Sequence, residues 1–496
     1  MLKRSSGAVK REASIVKRKT ELLPLFDDSA LAALQNEFRA SMRKLLADLC
    51  GELTRGAGRQ LHLPIPLFRS IQRALPLSEF SSWKVVGWIE EINDLAYFLD
   101  VQRQLKRERD CAAFAESFLA ACDEQFYEHT YLDELFPNRK PEPAKLPARL
   151  SRLCARLVAS PRKESLLLAP DLLPKRAVVT STKEPNFERA ELPGTAAVGL
   201  HGAYVEVKRG RLVLPDWLRR PGPNWLGGLT LGPTIVYRRD KTPARIVLTR
   251  GNIAGRIQLA LAVIETAWPE GARVLARLTN RIVPLKAKGV VSFSYRHRPG
   301  LSFINVFDRD DLDLIDDLIH ENSHHHLNLL LRKAVLYHKD RNQEIFYSPW
   351  RRSLRPLRGI LHATFTFTMG AMLFERLSSF EARAAGQGPR GKAMLTDQQL
   401  LRARFRCLEE VASVRYSLKD LAYAKKLGWM TATGWGLVSS LKREIDKAEL
   451  RIAPFERSVL RSKHGRELTR HRKELAKARE TYGPVTSPQL LGHPPS

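Results

Sequence analysis

The stretch DRDDLDLIDDLIHENSHHHLNLLLRKAVL, which begins at Asp308, leaves the chain the fewest structural choices. Leu312, Ile315 and Ile319, and later Leu327 and Leu331, return at helical spacing. Asp308, Asp310 and Asp311 crowd the end that would carry the positive pole of a helix macrodipole. One amphipathic helix is therefore expected. On it His320 and His324 stand one turn apart and project to the same side, so two imidazole nitrogens can converge on one ion, with Glu321 beside them. His325 and His326 point elsewhere around the helix and read as structural histidines.

Two histidines hold a catalytic metal poorly, so the third protein ligand decides the chemistry. The protease signature that continues with Gly and a third His is excluded, because positions 327 and 330 are both Leu. Glu344, in NQEIFYS, has acceptable spacing for the glutamate ligand of a zinc hydrolase. The other candidate is His362, set among Ile360, Leu361, Phe365 and Phe367 in a strongly apolar helix pattern, where an imidazole needs a polar partner or a metal.

A site of this kind needs a frame, and the flanking sequence supplies one. From about Ser29 to Cys154 the apolar residues keep helical spacing, interrupted at Pro64, Pro66, Pro76 and PNRKPEPAKLP. RAVVTST, GAYVEVKRGRLVLP and PTIVYRR read as strands, with Arg209 and Gly210 forming a hairpin turn inside the second. A helix, IAGRIQLALAVIETAW, and two strands, GVVSFSY and LSFINVF, lead to the histidine helix. The predicted organisation is a basic, disordered arm at 1–20, a helical accessory region at 21–175, a β-containing middle with the metal-binding catalytic core at 176–383, a linker at 384–396, a basic helical region at 397–482 and a disordered tail at 483–496. The expected fold class is α+β and mainly helical. A zincin-like helix and a small antiparallel sheet would form the metal-site core, with helical accessory regions at both ends.

Charge and cysteine usage narrow the setting. With 496 residues, 44% hydrophobic and 27% charged, the composition is globular, and the net charge of +29 favours an acidic partner. The basic residues collect at 1–19 and 457–479 without interleaved aromatics, which argues against a base-stacking nucleic-acid surface. Five widely spaced cysteines suggest neither a disulfide framework nor a thiolate zinc site, and fit a reducing compartment. No apolar run is long enough for a membrane span or a secretory signal. A soluble, cytoplasmic protein is expected.

Two blocks taken together, LIHENSHHHLNLLL and YSPWRRSLRPLRGILHATF, resemble the HEXXH-motif peptide-modification family, associated with ribosomally made, post-translationally modified peptides (RiPP biosynthesis). The family's activity is similar to that of iron- and 2-oxoglutarate-dependent peptide β-hydroxylases. Its second block has the form Y-S-P-W-R-x-D-P-R-P-L-x-G-x-L-H. Tyr347, Ser348, Pro349, Trp350, Arg351, Arg355, Pro356, Leu357, Gly359, Leu361 and His362 match it in register; Ser353 and Leu354 stand where the family commonly has Asp-Pro. The likeness covers roughly Ile253 to Leu377.

The resemblance implies that His320, His324 and His362 hold Fe(II) and that 2-oxoglutarate is the cosubstrate. Its distal carboxylate needs a guanidinium, for which Arg355 and Arg351 match the family block, with Arg352 and Arg358 in the same stretch. Glu321 would orient a ligand or tune the site rather than act as a base. The substrate would be a peptide; apart from the resemblance, the net positive charge suits recruitment of an acidic leader or peptide, and the strand LSFINVF could pair with an extended substrate as an added strand. Two rivals stand beside this reading. One is a zinc metallopeptidase with His320, His324 and Glu344 as ligands and Glu321 as general base. The other is a noncatalytic peptide-binding protein with a degenerate metal site, supported by Ser353, Leu354 and the extra basic segments.

Overall fold

The computed structural model describes residues 25–55, 65–126, 135–159, 195–200, 203–208, 211–213, 225–226, 229–231, 252–285, 291–296, 298–338, 343–379 and 395–483. The segments RAVVTST and PTIVYRR, the arm at 1–20, the linker as far as 394 and the tail from 484 lie outside them. The described residues are mainly helical with small sheets, as expected. They form two compact units, Asp28–Leu329 and Leu330–Ser496, the latter with the short segment ahead of Asp28. This division falls inside the 176–383 stretch read from sequence as one core. Apolar periodicity reports which face of a segment is buried, not which segment covers it.

The first unit opens with helices α1 (Asp28–Leu53), α2 (Ile65–Ala74), α3 (Trp83–Leu105), α4 (Cys111–Phe126) and α5 (Leu146–Ala159). α1 buries Leu31, Leu34, Phe38, Met42, Leu46 and Leu49, a stripe at three- and four-residue intervals. Ser82 caps α3 by accepting the Val85 amide at 3.3 Å. Phe118 meets Phe136 edge-on at 5.5 Å, in a core shared with Phe98, Leu146 and Leu150.

Strands β1 (Thr195–Leu200), β2 (Ala203–Lys208) and β3 (Arg211–Val213) form an antiparallel sheet. Lys208 stands opposite Arg211, the register that a two-residue hairpin through Arg209 and Gly210 requires, although the turn itself lies outside the described residues. A second sheet comprises β4 (Trp225–Leu226), β5 (Leu229–Leu231), β6 (Arg281–Leu285), β7 (Phe293–Ser294) and β8 (Leu301–Asn305), in the order β4-β5-β6-β8-β7.

That second sheet corrects two expectations. It is mixed rather than antiparallel, since β5 with β6 and β6 with β8 run parallel. The chain reaches β6 from β5 through α6 (Asn252–Ala267) and α7 (Pro269–Leu278), a crossover long enough for parallel pairing, whereas the short link from β7 to β8 gives an antiparallel pair. The segment LSFINVF is also not an open edge. β8 pairs with β6 on one side and with β7 on the other at Ser302 and Phe303, and all five of its residues are buried. Strand addition by a peptide at that position is closed.

From β8 the chain turns into α8 (Asp311–Lys333) through Asp308, whose φ of 54° is a left-handed conformation that aspartate tolerates. Asp310 and Asp313 cap the helix reciprocally: the Asp313 amide donates to Asp310 Oδ1 at 3.0 Å, and the Asp310 amide to Asp313 Oδ2 at 3.2 Å. Arg256 of α6 holds the same end, bonding Asp311 Oδ1 at 2.8 Å and the Arg309 carbonyl at 2.7 Å.

The second unit carries a hairpin, β9 (Phe346–Ser348) and β10 (Ser353–Arg355), and helices α9 (Leu357–Ser378), α10 (Asp397–Lys426), α11 (Ala432–Ile452), α12 (Glu456–Arg461) and α13 (Gly465–Tyr482). Thr396 and Gln399 form a capping box on α10, and Thr431 caps α11. α13 is pinned by Tyr482, stacked on Tyr347 at 5.1 Å, and by Arg479, whose guanidinium lies 3.5 Å above the Tyr416 ring. Among the described residues no helix is long and apolar enough to cross a membrane. Cys50, Cys111, Cys154 and Cys407 are free thiols.

Candidate metal centre

Three side chains of α8, His325, Asn322 and Asp317, set how the helix lies in its unit. His325 is buried; its Nδ1 accepts the Gly300 amide at 3.3 Å, and its Nε2 lies 3.1 Å from the Ser302 hydroxyl. Acceptance at Nδ1 places the ring proton on Nε2, which then donates to Ser302. Burial lowers the His325 pKa to about 4, so the ring is neutral. Gly300 has φ of 80°, which glycine adopts without strain and which aims its amide at the ring.

Elsewhere around the helix, Asn322 donates to Thr279 Oγ1 at 2.9 Å, tying α8 to the end of α7. Asp317 accepts the Ser292 hydroxyl at 2.7 Å, and Ser292 in turn accepts the Asn305 amide at 2.9 Å at the end of β8.

One stripe of α8 is only half-buried: Asp313, Asp316, Asp317, His320 and His324, with Asp317 the member tied to the sheet through Ser292. The His320 and His324 rings lie 5.0 Å apart, edge to face. Glu321 is buried, and one ligand atom from each of His320, Glu321 and His324 lies within 4.8 Å of the others. Two imidazoles and a carboxylate form a donor set suited to a divalent transition metal, iron or zinc included. The cluster is compatible with a metal site and does not distinguish iron from zinc.

Asp317 adds an acidic group one turn before His320. Burial raises its pKa to about 6, against the opposing pull of the Ser292 hydrogen bond and of Arg309, whose Nε is 3.7 Å away. Neither Asp317 nor Ser292 belongs to a recognisable motif in the sequence. Asp317 could have been found from its place on the His320 face; nothing local marks Ser292, which reaches the helix only through the sheet.

The other predicted residues stand in the second unit. His362 is half-buried on α9, a helix buried almost all round. Its less buried side carries Arg358, Gly359, His362, Ala363 and Phe367, so Arg358 and His362 share a face one turn apart. Glu344 is exposed ahead of β9.

The β9–β10 loop folds through Arg352, at φ 51°, whose amide donates to the Ser348 carbonyl at 2.8 Å. Trp350 anchors it, stacking on Phe367 at 4.3 Å and donating to Glu410 Oε2 at 2.8 Å. Arg352 pairs with Glu474 at 3.2 Å. Arg351 and Arg355 are exposed, and no ion pair engages either among the described residues. Ser353 and Leu354, the departures from the family block, form β10 opposite Ser348 and Tyr347.

One helix therefore brings His320, Glu321 and His324 together, while His362, Glu344, Arg351, Arg355 and Arg358 are placed on the second unit. Comparison of the chain with protein-family models finds no match, and comparison with curated proteins finds none either.

Proposed function

We propose that this protein is an Fe(II)- and 2-oxoglutarate-dependent hydroxylase of peptide or protein side chains, with His320, His324 and His362 as metal ligands. The observation that carries the reading is the half-exposed His320–His324 pair on a helix whose other faces are fastened to its sheet and to α7. The placement of Arg358 and His362 one turn apart on the less buried side of α9 supports it from the second unit. When bound, iron with 2-oxoglutarate and dioxygen would supply hydroxylation of a C–H bond: one oxygen atom of O2 would enter the substrate and the other succinate, as the cosubstrate loses carbon dioxide.

The chain's own residues have separable tasks. His325 and Asn322 hold the helix, so that the two ligand imidazoles need little reorganisation. Glu321 is near enough to both imidazoles to influence their charge and orientation. Arg352 pairs with Glu474, and Arg351, Arg355 and Arg358 are the proposed binders of the distal carboxylate. Arg358 has the strongest claim, because it shares a face with His362. The peptide substrate, the RiPP-type role and a cytoplasmic location belong to the same proposal, the last supported by the free thiols.

The closeness of Glu321 to both histidines favours a second reading, a zinc hydrolase in which Glu321 takes a proton from water. Anaerobic purification, metal analysis and a succinate assay with candidate peptides separate the two. Hydroxylation predicts succinate formation abolished by His320→Ala, His324→Ala and His362→Ala, and a raised KM for 2-oxoglutarate in Arg358→Ala. Zinc-dependent peptide cleavage without succinate, lost in Glu321→Gln and Glu344→Ala but retained in His362→Ala, would overturn it in favour of the hydrolase.

A further inference from the structure

The basic segment at the carboxy-terminal end is not uniformly solvated charge. Two of its cations are engaged within the second unit: Arg472 pairs with Glu456 at 2.5 Å, and Arg479 with Asp420 and the Tyr416 ring. Others are not. Arg466, Arg470, Lys473 and Lys477 recur at intervals of four, three and four residues and so form one stripe of α13, about 16 Å long at 1.5 Å per residue. All four are exposed, and Arg466, Lys473 and Lys477 have no acidic partner among the described residues. Arg470 has only a loose contact, 4.0 Å from Glu474, whose other oxygen is taken by Arg352.

With Leu460 and Thr469 the stripe borders one shallow, open groove. Leu460 of α12 forms one end and is 43% exposed, so its side chain offers apolar surface there. Gly465 lies between them, and a side chain there would overlap the Leu460 carbonyl, so the two helices meet without filling the corner.

We infer that this groove is a docking site for an acidic, amphipathic peptide segment, with carboxylates on Arg466, Arg470, Lys473 and Lys477 and an aliphatic side chain against Leu460. Two features select a peptide over a nucleic acid. The stripe presents no aromatic residue for base stacking, and Glu474 beside it disfavours a continuous phosphate backbone. Leu460 offers an apolar contact that a peptide can meet and a phosphodiester chain cannot. Through Arg352 and Glu474 the groove adjoins the β9–β10 loop, within two residues of Trp350. That the docked segment belongs to the substrate rests on the peptide-modifying reading; the docking does not.

The test is fluorescence anisotropy of the full-length protein with a labelled glutamate-rich peptide carrying one leucine. Saturable binding is expected that weakens steeply with salt, falls about tenfold or more in the charge-reversal variant R466E/R470E/K473E/K477E, and falls for Leu460→Ser only when the probe contains leucine. Lys473→Gln/Lys477→Gln, a milder change checked by circular dichroism, gives a smaller loss if the reversed variant does not fold. Binding unchanged in these variants would overturn the proposal, as would displacement of the peptide by single-stranded DNA at equal charge concentration. Binding without any succinate formation would leave the docking site standing and remove only the hydroxylase reading.

Discussion

His325 accepts the Gly300 amide, 3.3 Å away, on the far side of the helix from the candidate metal ligands. Adjacent histidines in one sequence run thus do unlike work. His324 faces a half-open stripe, while His325 holds the turn before β8 and the Ser302 hydroxyl. His325→Ala should cost about 1–3 kcal/mol, because it leaves a buried amide and hydroxyl short of a partner. Urea unfolding at neutral pH checks this.

The same contact has a pH signature. The folded-state pKa of about 4 lies below the ordinary 6.5, so the unfolded chain takes up the proton first. This contribution to stability is complete above about pH 6.5 and is lost as the pH falls towards 4. The difference in stability between wild type and His325→Ala should shrink over that window in unfolding curves recorded at successive pH values.

Asp317 should show the opposite sign. Its folded pKa, about 6, lies above the ordinary 3.8, so the folded state holds the proton more tightly. Ionisation therefore erodes stability between about pH 3.8 and 6, and the full cost is present above 6. Asp317→Asn, which can still accept the Ser292 hydroxyl, should raise the Tm by a few degrees at pH 7 and change nothing below pH 4. A lower Tm at pH 7 would mean that the pull of Arg309 outweighs burial.

Metal binding should depend on His320 and His324 far more than folding does. Either alanine variant should bind Fe(II) or Zn(II) at least about a hundredfold more weakly, since loss of even an outer contact costs about 10–100-fold. The metal-free variants should unfold within about 0.5–1 kcal/mol of the metal-free wild type, because both rings are half-exposed. Metal at about a hundred times its Kd should add about 2.7 kcal/mol to the wild type and little to either variant, measured by thermal unfolding with and without the ion.

Trp350 is the anchor of the β9–β10 loop. Trp350→Ala removes the stack on Phe367 and the indole donor to buried Glu410, and should destabilise by about 2–4 kcal/mol. Trp350→Phe keeps the stack and should recover roughly half of the loss. Chemical denaturation of the two variants distinguishes the contributions.

Most of what could be read from the chain alone is local. The spacing of Leu312, Ile315 and Ile319 marks a helix, and an α-helix returns to the same side every turn, so His320 and His324 had to share a face wherever that helix lay. The helical front, the capped basic helix beginning at Asp397 and the hairpin register of Lys208 with Arg211 follow from equally short-range rules. Long-range pairing decided the rest. LSFINVF has the pattern of a strand in any setting, but its place between β6 and β7 depends on a crossover through two helices. Four neighbouring arginines look alike in sequence until Glu474, more than a hundred residues on, claims Arg352. Asp317 acquires a raised pKa, and His325 a lowered one, only because distant segments exclude water from them. Periodicity records that a side of a helix is covered; which groups cover it, and so what its histidines and carboxylates can do, is set by contacts between residues that the sequence keeps far apart.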